Sequence, residues 1–210
     1  TGGLSGLSIC VAGDSGHPNS PFTDVRVRQA IEHAVDKQAL VDSLTHGYGK
    51  VCNQYAYPGS WGVNPDVKVY PYDPDKARRL LAEAGYPDGF ETVLNYRDVV
   101  RGYLPDPNIV AQDLQAQLKE NLNITLKIEV MESGAFLTAA DAGQLQGLYM
   151  LGWGADYPDQ TNFLGYHFGS GASKQFGDKF DDITSAIDSG AQLASDSDRE
   201  PFYTDANNAI

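Results

Sequence analysis

The sequence predicts an α/β domain with a mixed or mainly parallel sheet, and three observations lead to that class. Apolar runs of strand length alternate along the chain with longer segments whose apolar residues recur at helical spacing. Clusters of glycine, proline, serine and asparagine separate these segments, and no repeat of solenoid period is present. The 210 residues, of which 41% are hydrophobic, suffice to bury a sizeable core. We therefore expect one three-layer domain over residues 1–210.

The predicted elements of the first part of the chain are one strand, two helices and a long connection. The run LSICVAG predicts the strand, because glycine and polar residues break the pattern directly after it. From Thr23 the apolar residues follow helical spacing, and Asp36 can cap a second helix. The aromatic-rich connection that follows is longer than most loops of compact domains, which favours a function for it. The bounds are strand 7–13, helix 23–35 and connection 50–72.

The clearest helix of the sequence begins at Asp73. This residue is a good N-cap, Pro74 suits the first helical position, and Gly85 suits the end. Strands and helices then alternate to the end of the chain. The expected bounds are strands 90–96, 124–130 and 147–153, and helices 108–122, 134–143, 179–194 and 198 onward.

Composition and charge limit the classes of partner. The formal net charge of −13 repels phosphate backbones and no stripe of lysine and arginine occurs, so we expect no nucleic-acid partner. No run approaches the roughly 18 apolar residues that a membrane span requires. The histidines are scattered and the cysteines lack the spacing of a zinc site, so we expect no metal and no other cofactor. Cys10 and Cys52 fit equally a disulfide of an exported protein and two unrelated thiols.

The most informative stretch is LGWGADYPDQTNFLG, residues 151–165, where a buried strand opens into a polar loop. Glycines on both sides of Trp153, including Gly154, leave room for a ligand. Ligands of open α/β sheets bind outside the carboxyl ends of strands, and Asp156 offers a partner for a cation there. The alternative is structural: Trp153 and Tyr157 fill the core while Asp156 caps a helix that starts near residue 159 or 160.

Two enzyme interpretations fit the sequence poorly. Asp156 and Asp159 could be the acid–base pair of a glycoside hydrolase, but they share one loop, whereas such pairs usually come from different strand ends. The sequence GDSG at 13–16 resembles the nucleophile loop of trypsin-like serine proteases, yet the required histidine and aspartate cannot precede it. A turn with local side-chain hydrogen bonds explains GDSG better. We expect a binding protein and not an enzyme, with a glycoside hydrolase as the remote alternative.

Four segments together resemble a known family. In chain order they are FTDVRVRQAIEHAVDKQALVD, YPGSWGVNPD, YPYDPDKARRLLAEAGYPDGF and LGWGADYPDQTNFL. They are similar to the family 5 extracellular solute-binding proteins, the oligopeptide and dipeptide receptors of ABC importers. The resemblance implies a bilobal periplasmic-binding-protein-like fold, in which two α/β lobes close over a ligand about a hinge. The matching segments belong to the second lobe of the family, so we expect residues 1–210 to be that lobe alone. The last helix is still in register at Ile210, and we expect the chain to be truncated there, with the first lobe absent.

The resemblance also implies roles for single residues. In peptide-binding members, the aspartate at the position of Asp156 pairs with the α-ammonium of the peptide, and the aromatic residue at Trp153 forms the wall of a side-chain pocket. Tyr157 would add apolar contact. Met150 stands where some oligopeptide receptors carry an arginine for the peptide carboxylate. The carboxylate must then find Arg97, Arg101 or a cation of the other lobe.

These observations predict an extracytoplasmic, monomeric receptor, periplasmic or a cell-surface lipoprotein, that captures an oligopeptide and delivers it to the membrane permease of an ABC importer. The alternative is an oligosaccharide receptor of the same family. In that case Trp153 would stack on a sugar ring, and the aromatic residues Tyr55, Tyr57 and Trp61 of the long connection would contribute further contacts.

Overall fold

The computed structural model describes residues 5–12, 17–45, 49–55 and 60–210, with the side chains of 5–12 and of Thr45 left out. The GDSG sequence and Tyr57 therefore lie outside the described residues. None of the helices in the described ranges is long and apolar enough to cross a bilayer.

A four-stranded mixed sheet forms the centre of the domain, in the order β1-β4-β2-β3. Strand β2 pairs in parallel with both β3 and β4, whereas β1 pairs with β4 in the antiparallel direction. Because the three parallel strands share one direction, their carboxyl ends lie at the same edge of the sheet. The mixed sheet that the sequence predicts is confirmed, and each strand lies within two residues of its expected bounds. The strands are β1 (Ser5–Ala12), β2 (Glu91–Arg97), β3 (Thr125–Met131) and β4 (Gly147–Gly154).

Eight α-helices surround the sheet in the described part of the chain, and a short 3-10 helix, Pro21–Thr23, precedes the first of them. The predicted helices are all present, and their ends lie within three residues of the expected bounds. The helices are α1 (Val25–Ala34), α2 (Lys37–Thr45), α3 (Pro74–Glu83), α4 (Pro107–Leu122), α5 (Ser133–Asp141), α6 (Tyr166–Phe168), α7 (Asp181–Ala191) and α8 (Asp196–Ala209), and a wide helical turn, Thr161–Gly165, precedes α6.

Local capping explains where the best-predicted helix begins. The carboxylate of Asp73 accepts a hydrogen bond from the backbone N–H of Lys76 at 2.9 Å, and Pro74 occupies the first helical position of α3. Asp106 does the same for α4, because its carboxylate accepts from the backbone N–H of Ile109 at 3.0 Å. These bonds satisfy backbone donors that have no partner within the helix.

Helices cover both faces of the sheet, which gives three layers. Successive side chains of a strand point to opposite faces. Leu148 and Met150 of β4 accordingly join the main core with α1, α3 and α4, whereas Tyr149 joins a second core with Phe136 of α5. The α/β class with helices on both faces is therefore confirmed.

A third hydrophobic cluster lies beside the loop that follows β4. Leu164 of the wide turn packs with Ile187 of α7 and Tyr203 of α8, and Tyr55 and Trp61 of the long connection pack against them. This cluster ties the C-terminal helices to the segment that the sequence singles out.

Candidate functional site

The carboxyl edge of the sheet brings the predicted site residues to one side of the domain. Strand β2 ends at Arg97 and its parallel neighbour β4 ends at Gly154, so both residues lie at this edge. Across the antiparallel pair, Trp153 stands opposite Gly6 of β1. Because glycine has no side chain, no cross-strand side chain covers the indole from that position.

The ring of Trp153 is fixed by a hydrogen bond and by two aromatic contacts. Its indole N–H donates to the side-chain oxygen of Asn162 at 3.0 Å. The ring stacks on Tyr166 with 4.3 Å between centroids and 25° between planes, and it meets the edge of His167 at 4.8 Å. One indole face is therefore covered by Tyr166. Tyr166 itself is half exposed and extends the aromatic surface.

Asp156 is exposed, three residues after Trp153. Its backbone N–H donates to the same oxygen of Asn162 at 3.0 Å. Within the described ranges, no hydrogen bond or ion pair engages the carboxylate of Asp156. The alternative that Asp156 caps the helical segment after the loop is wrong. The carboxylate of Asp159, and not that of Asp156, accepts a hydrogen bond from the backbone N–H of Thr161, at 2.9 Å.

Tyr157 and Gly154 lie at the surface of the same loop. The side chain of Tyr157 is 48% exposed, and its hydroxyl oxygen lies 3.3 Å from the hydroxyl of Thr161. Tyr157 thus does not fill the core. Gly154 is exposed at the last position of β4.

The carboxylate of Asp159 is engaged in an ion pair within the fold. Its two carboxylate oxygens accept from the guanidinium of Arg199 on α8 at 2.7 and 2.8 Å. The hydrogen bonds from Arg199 lower the pKa of Asp159 to about 2, against the opposing effect of burial. The guanidinium also lies 4.4 Å from the ring centroid of Trp61. A general acid must be protonated near neutral pH, so this environment excludes Asp159 as the acid of a glycoside hydrolase.

His167 behaves as a buried aromatic residue. Burial lowers its pKa to about 4, and its Nδ1 lies 2.7 Å from the carbonyl oxygen of Phe163. The ring packs against Tyr55 and Phe176 at centroid distances of 5.0 and 5.4 Å. Among the described residues, no group of three histidine, cysteine or acidic side chains could hold a metal ion.

The structure uses Arg97 partly for local packing. One of its terminal nitrogens donates to the hydroxyl of Ser133, at the start of α5, at 2.9 Å. The thiol of Cys52 lies 2.9 Å from the carbonyl oxygen of Gln54, and the side chain of Cys10 lies outside the described ones, so the disulfide stays a prediction.

Two of the aromatic residues that the sugar alternative uses, Tyr55 and Trp61, are not a free platform. Tyr55 meets the edges of three rings, those of His167, Phe168 and Phe176, at 5.0 to 5.8 Å. Trp61 packs edge to face on Tyr203 at 5.1 Å and under Arg199. Both residues serve the third hydrophobic cluster.

Sequence reasoning missed three residues of the site: Asn162, Tyr166 and Arg199. Asn162 and Tyr166 lie within the quoted stretch or one residue after it, but nothing in their spacing connects them with Trp153. No local sequence pattern indicates a role for Arg199, because its partner Asp159 is distant in the sequence.

Known proteins resemble this chain in sequence and in fold. The family model described as bacterial extracellular solute-binding proteins, family 5 middle, matches residues 5–175. The dipeptide-binding protein of Escherichia coli strain K12 is 38% identical over 155 residues, which cover 74% of this chain and 29% of that protein. Heme-binding protein A of Haemophilus influenzae is 37% identical over 152 residues, which cover 72% of this chain and 27% of that protein.

A solved structure extends the likeness to the whole chain. HbpA2 from Haemophilus parasuis superposes with a TM-score of 0.89 at 29% identity, over 99% of this chain and 40% of that chain. The chain therefore spans less than a third of the curated relatives and about two fifths of the solved structure.

Proposed function

The chain belongs to the family 5 bacterial extracellular solute-binding proteins, and from that premise we propose that it is one ligand-binding lobe of an oligopeptide receptor. The exposed carboxylate of Asp156 carries this proposal. It has no partner among the described residues, and the backbone of Asp156 shares its acceptor, Oδ1 of Asn162, with the indole of Trp153 at the carboxyl edge of the sheet. A carboxylate so placed suits the α-ammonium group of a peptide.

The lobe would act as the second of two that close over the ligand. The chain superposes on only 40% of HbpA2, which supports a larger receptor in which a second lobe accompanies this one. Closure would bury the ammonium against Asp156 and remove both from water. Truncating one partner of such a pair typically costs about 2–5 kcal/mol. Trp153, Tyr157 and Gly154 would line the adjacent side-chain pocket, and Arg97 or a cation of the other lobe would meet the peptide carboxylate.

The family supports the wider setting of this proposal. A receptor of this kind works outside the cytoplasmic membrane, in the periplasm or as a cell-surface lipoprotein. It would act as a monomer that hands its ligand to the permease of an ABC importer, with no nucleic-acid partner and no chemical turnover. The acids of the site favour a cationic end group over an anionic ligand.

One observation favours a second candidate, an oligosaccharide receptor. The stacked pair of Trp153 and the half-exposed Tyr166 offers a flat aromatic surface of the kind that sugar rings contact. The burial of Tyr55 and Trp61 in the third cluster weakens this candidate, because it removes two of its expected contacts.

A binding experiment separates the candidates. The full-length receptor is titrated by calorimetry with a free-amine tripeptide, the same peptide N-acetylated, an oligosaccharide and haem. We expect the free-amine peptide to bind more tightly than its acetylated form, and Asp156→Asn to abolish that preference with a loss of about 2–5 kcal/mol. Asp88→Asn, which removes an exposed carboxylate before β2 at the opposite edge of the sheet, is the matched control. Equal affinity of the parent for the two peptides, or binding of sugar or haem alone, contradicts the proposal.

A further inference from the structure

One side-chain oxygen joins the two residues on which the proposed function rests. Oδ1 of Asn162 accepts the indole N–H of Trp153 and the backbone N–H of Asp156, each at 3.0 Å. An amide oxygen has two lone pairs, so these two bonds use its full accepting capacity. Asn162 is 4% exposed, which keeps water from replacing either bond easily.

We infer that Asn162 is the positioning residue of the site, and that it sets the indole of Trp153 and the backbone of Asp156, from which the carboxylate projects, as one unit. This inference rests on the proposed function in one respect, that the two residues contact the same ligand. The α-ammonium of a peptide and its neighbouring side chains are held at fixed separations by covalent bonds. A site that reads both groups therefore gains affinity when its carboxylate and its aromatic wall are preorganised at a matching separation.

The segment that leads into Asn162 is itself anchored to the rest of the fold. Before it, Asp159 is bound by Arg199 of α8, and the side-chain amide of Gln160 donates to the carbonyl oxygen of Trp61 at 2.6 Å. The backbone N–H of Asn162 donates to the carbonyl oxygen of Asp159 at 3.0 Å. Since these contacts involve no ligand, the position of Asn162 is set by the fold before binding.

Removing the acceptor should release both donors at once. In Asn162→Leu the indole N–H and the Asp156 N–H lose their partner, and the ring is then held only by its contacts with Tyr166 and His167. In Asn162→Asp an oxygen stays in the same place and can accept both bonds. Leucine and aspartate keep the branched heavy-atom skeleton of asparagine, although leucine is the larger, so the contrast between the two variants reports on the hydrogen bonds together with a limited change in packing.

The test is a nuclear magnetic resonance measurement on the ligand-free full-length receptor, with the indole N–H signal of Trp153 assigned by its loss in Trp153→Phe. We expect Asn162→Leu to move this signal upfield and to speed its exchange with water, and Asn162→Asp to keep it near the parent position. Asn121→Leu is the matched control, because Asn121 is also a buried asparagine but lies at the end of α4, at the opposite edge of the sheet.

Peptide affinity gives a second readout. We expect Asn162→Leu to weaken binding of the free-amine tripeptide about tenfold, which corresponds to the loss of roughly one net hydrogen bond, and Asn162→Asp to retain most of the affinity. An unchanged indole signal in Asn162→Leu overturns the inference, whatever the binding result. If the indole responds as expected while the parent binds no peptide, the positioning role stands and the proposed ligand class fails.

Discussion

The ion pair between Asp159 and Arg199 should stabilise the fold at neutral pH and less so in acid. Asp159→Asn should remove this part of the pH dependence. Arg199 lowers the pKa of Asp159 from 3.8 to about 2. Because the pKa is lowered on folding, the stabilisation is fully present above pH 3.8 and is lost as the pH falls through about 2. Asp159→Asn removes the titrating group and keeps an oxygen beside the guanidinium.

The magnitude follows from the shift. One pKa unit corresponds to about 1.4 kcal/mol, so a fall from 3.8 to about 2 gives an upper value of roughly 2.5 kcal/mol. A quarter of the Asp159 side chain is exposed, and solvent screens part of the interaction, so we expect about 1–2 kcal/mol. The parent should lose this much more unfolding free energy than Asp159→Asn between pH 5 and about pH 2.

The assay is urea denaturation followed by circular dichroism at several pH values between 5 and 2. Subtracting the two curves cancels the other carboxylates, which both proteins share. Asp75→Asn serves as the control, because Asp75 pairs with Arg78 across a largely exposed helix face of α3. Its curve should stay parallel to that of the parent. If Asp159→Asn also runs parallel to the parent, the pair with Arg199 does not stabilise the fold and the reasoning is refuted.

Two further perturbations probe the surroundings of the site. His167→Phe should reduce the loss of stability between pH 7 and 4.5 by about 2–3 kcal/mol. Burial lowers the pKa of His167 to about 4, so between pH 6.5 and 4 the unfolded chain takes up a proton that the buried ring does not, and stability falls with the pH. Urea titrations at pH 7 and 4.5 measure the difference. A parent without that extra loss would contradict a neutral, buried His167. Gly147→Ala should destabilise the chain by at least about 1–3 kcal/mol. Gly147 has a φ of +70°, which disfavours alanine, and a Cβ there would lie 2.5 Å from the carbonyl oxygen of Val93. Gly102→Ala, where a Cβ meets nothing within 4 Å, should change the thermal midpoint little, and equal effects of the two would argue against strain at the start of β4.

Local sequence signals were sufficient for the elements of the fold. The Asp73–Pro74 pair located the start of α3 because the cap and the fixed proline φ act within one helical turn. The alternation of ITLKIEV located β3 because side chains of a strand alternate between a covered and an open face. Such signals require no knowledge of what packs on the element.

The contacts of the site depend on residues that are distant in the sequence, and local patterns do not encode them. Arg199 reaches Asp159 only because α8 packs on α7 and on the turn after β4, through Tyr203 and Ile187. The sequence places Trp61 in a long loop, but this packing brings its ring against the same guanidinium. The burial of a loop aromatic is decided by the elements around it.

Asp156 and Asp159 show what geometry adds to a sequence motif. Both are aspartates of the same short loop, and either could bind a ligand, cap a turn or act as an acid. Arg199 and Thr161 occupy the carboxylate of Asp159, so a ligand could reach it only by breaking a partly buried ion pair. The loop then contributes through Asp156, whose backbone is held by Asn162 while its carboxylate faces solvent. Under the proposed function one acid fixes the loop and the other binds the ligand, and this division makes Asp156 the substitution that should alter binding with little effect on stability.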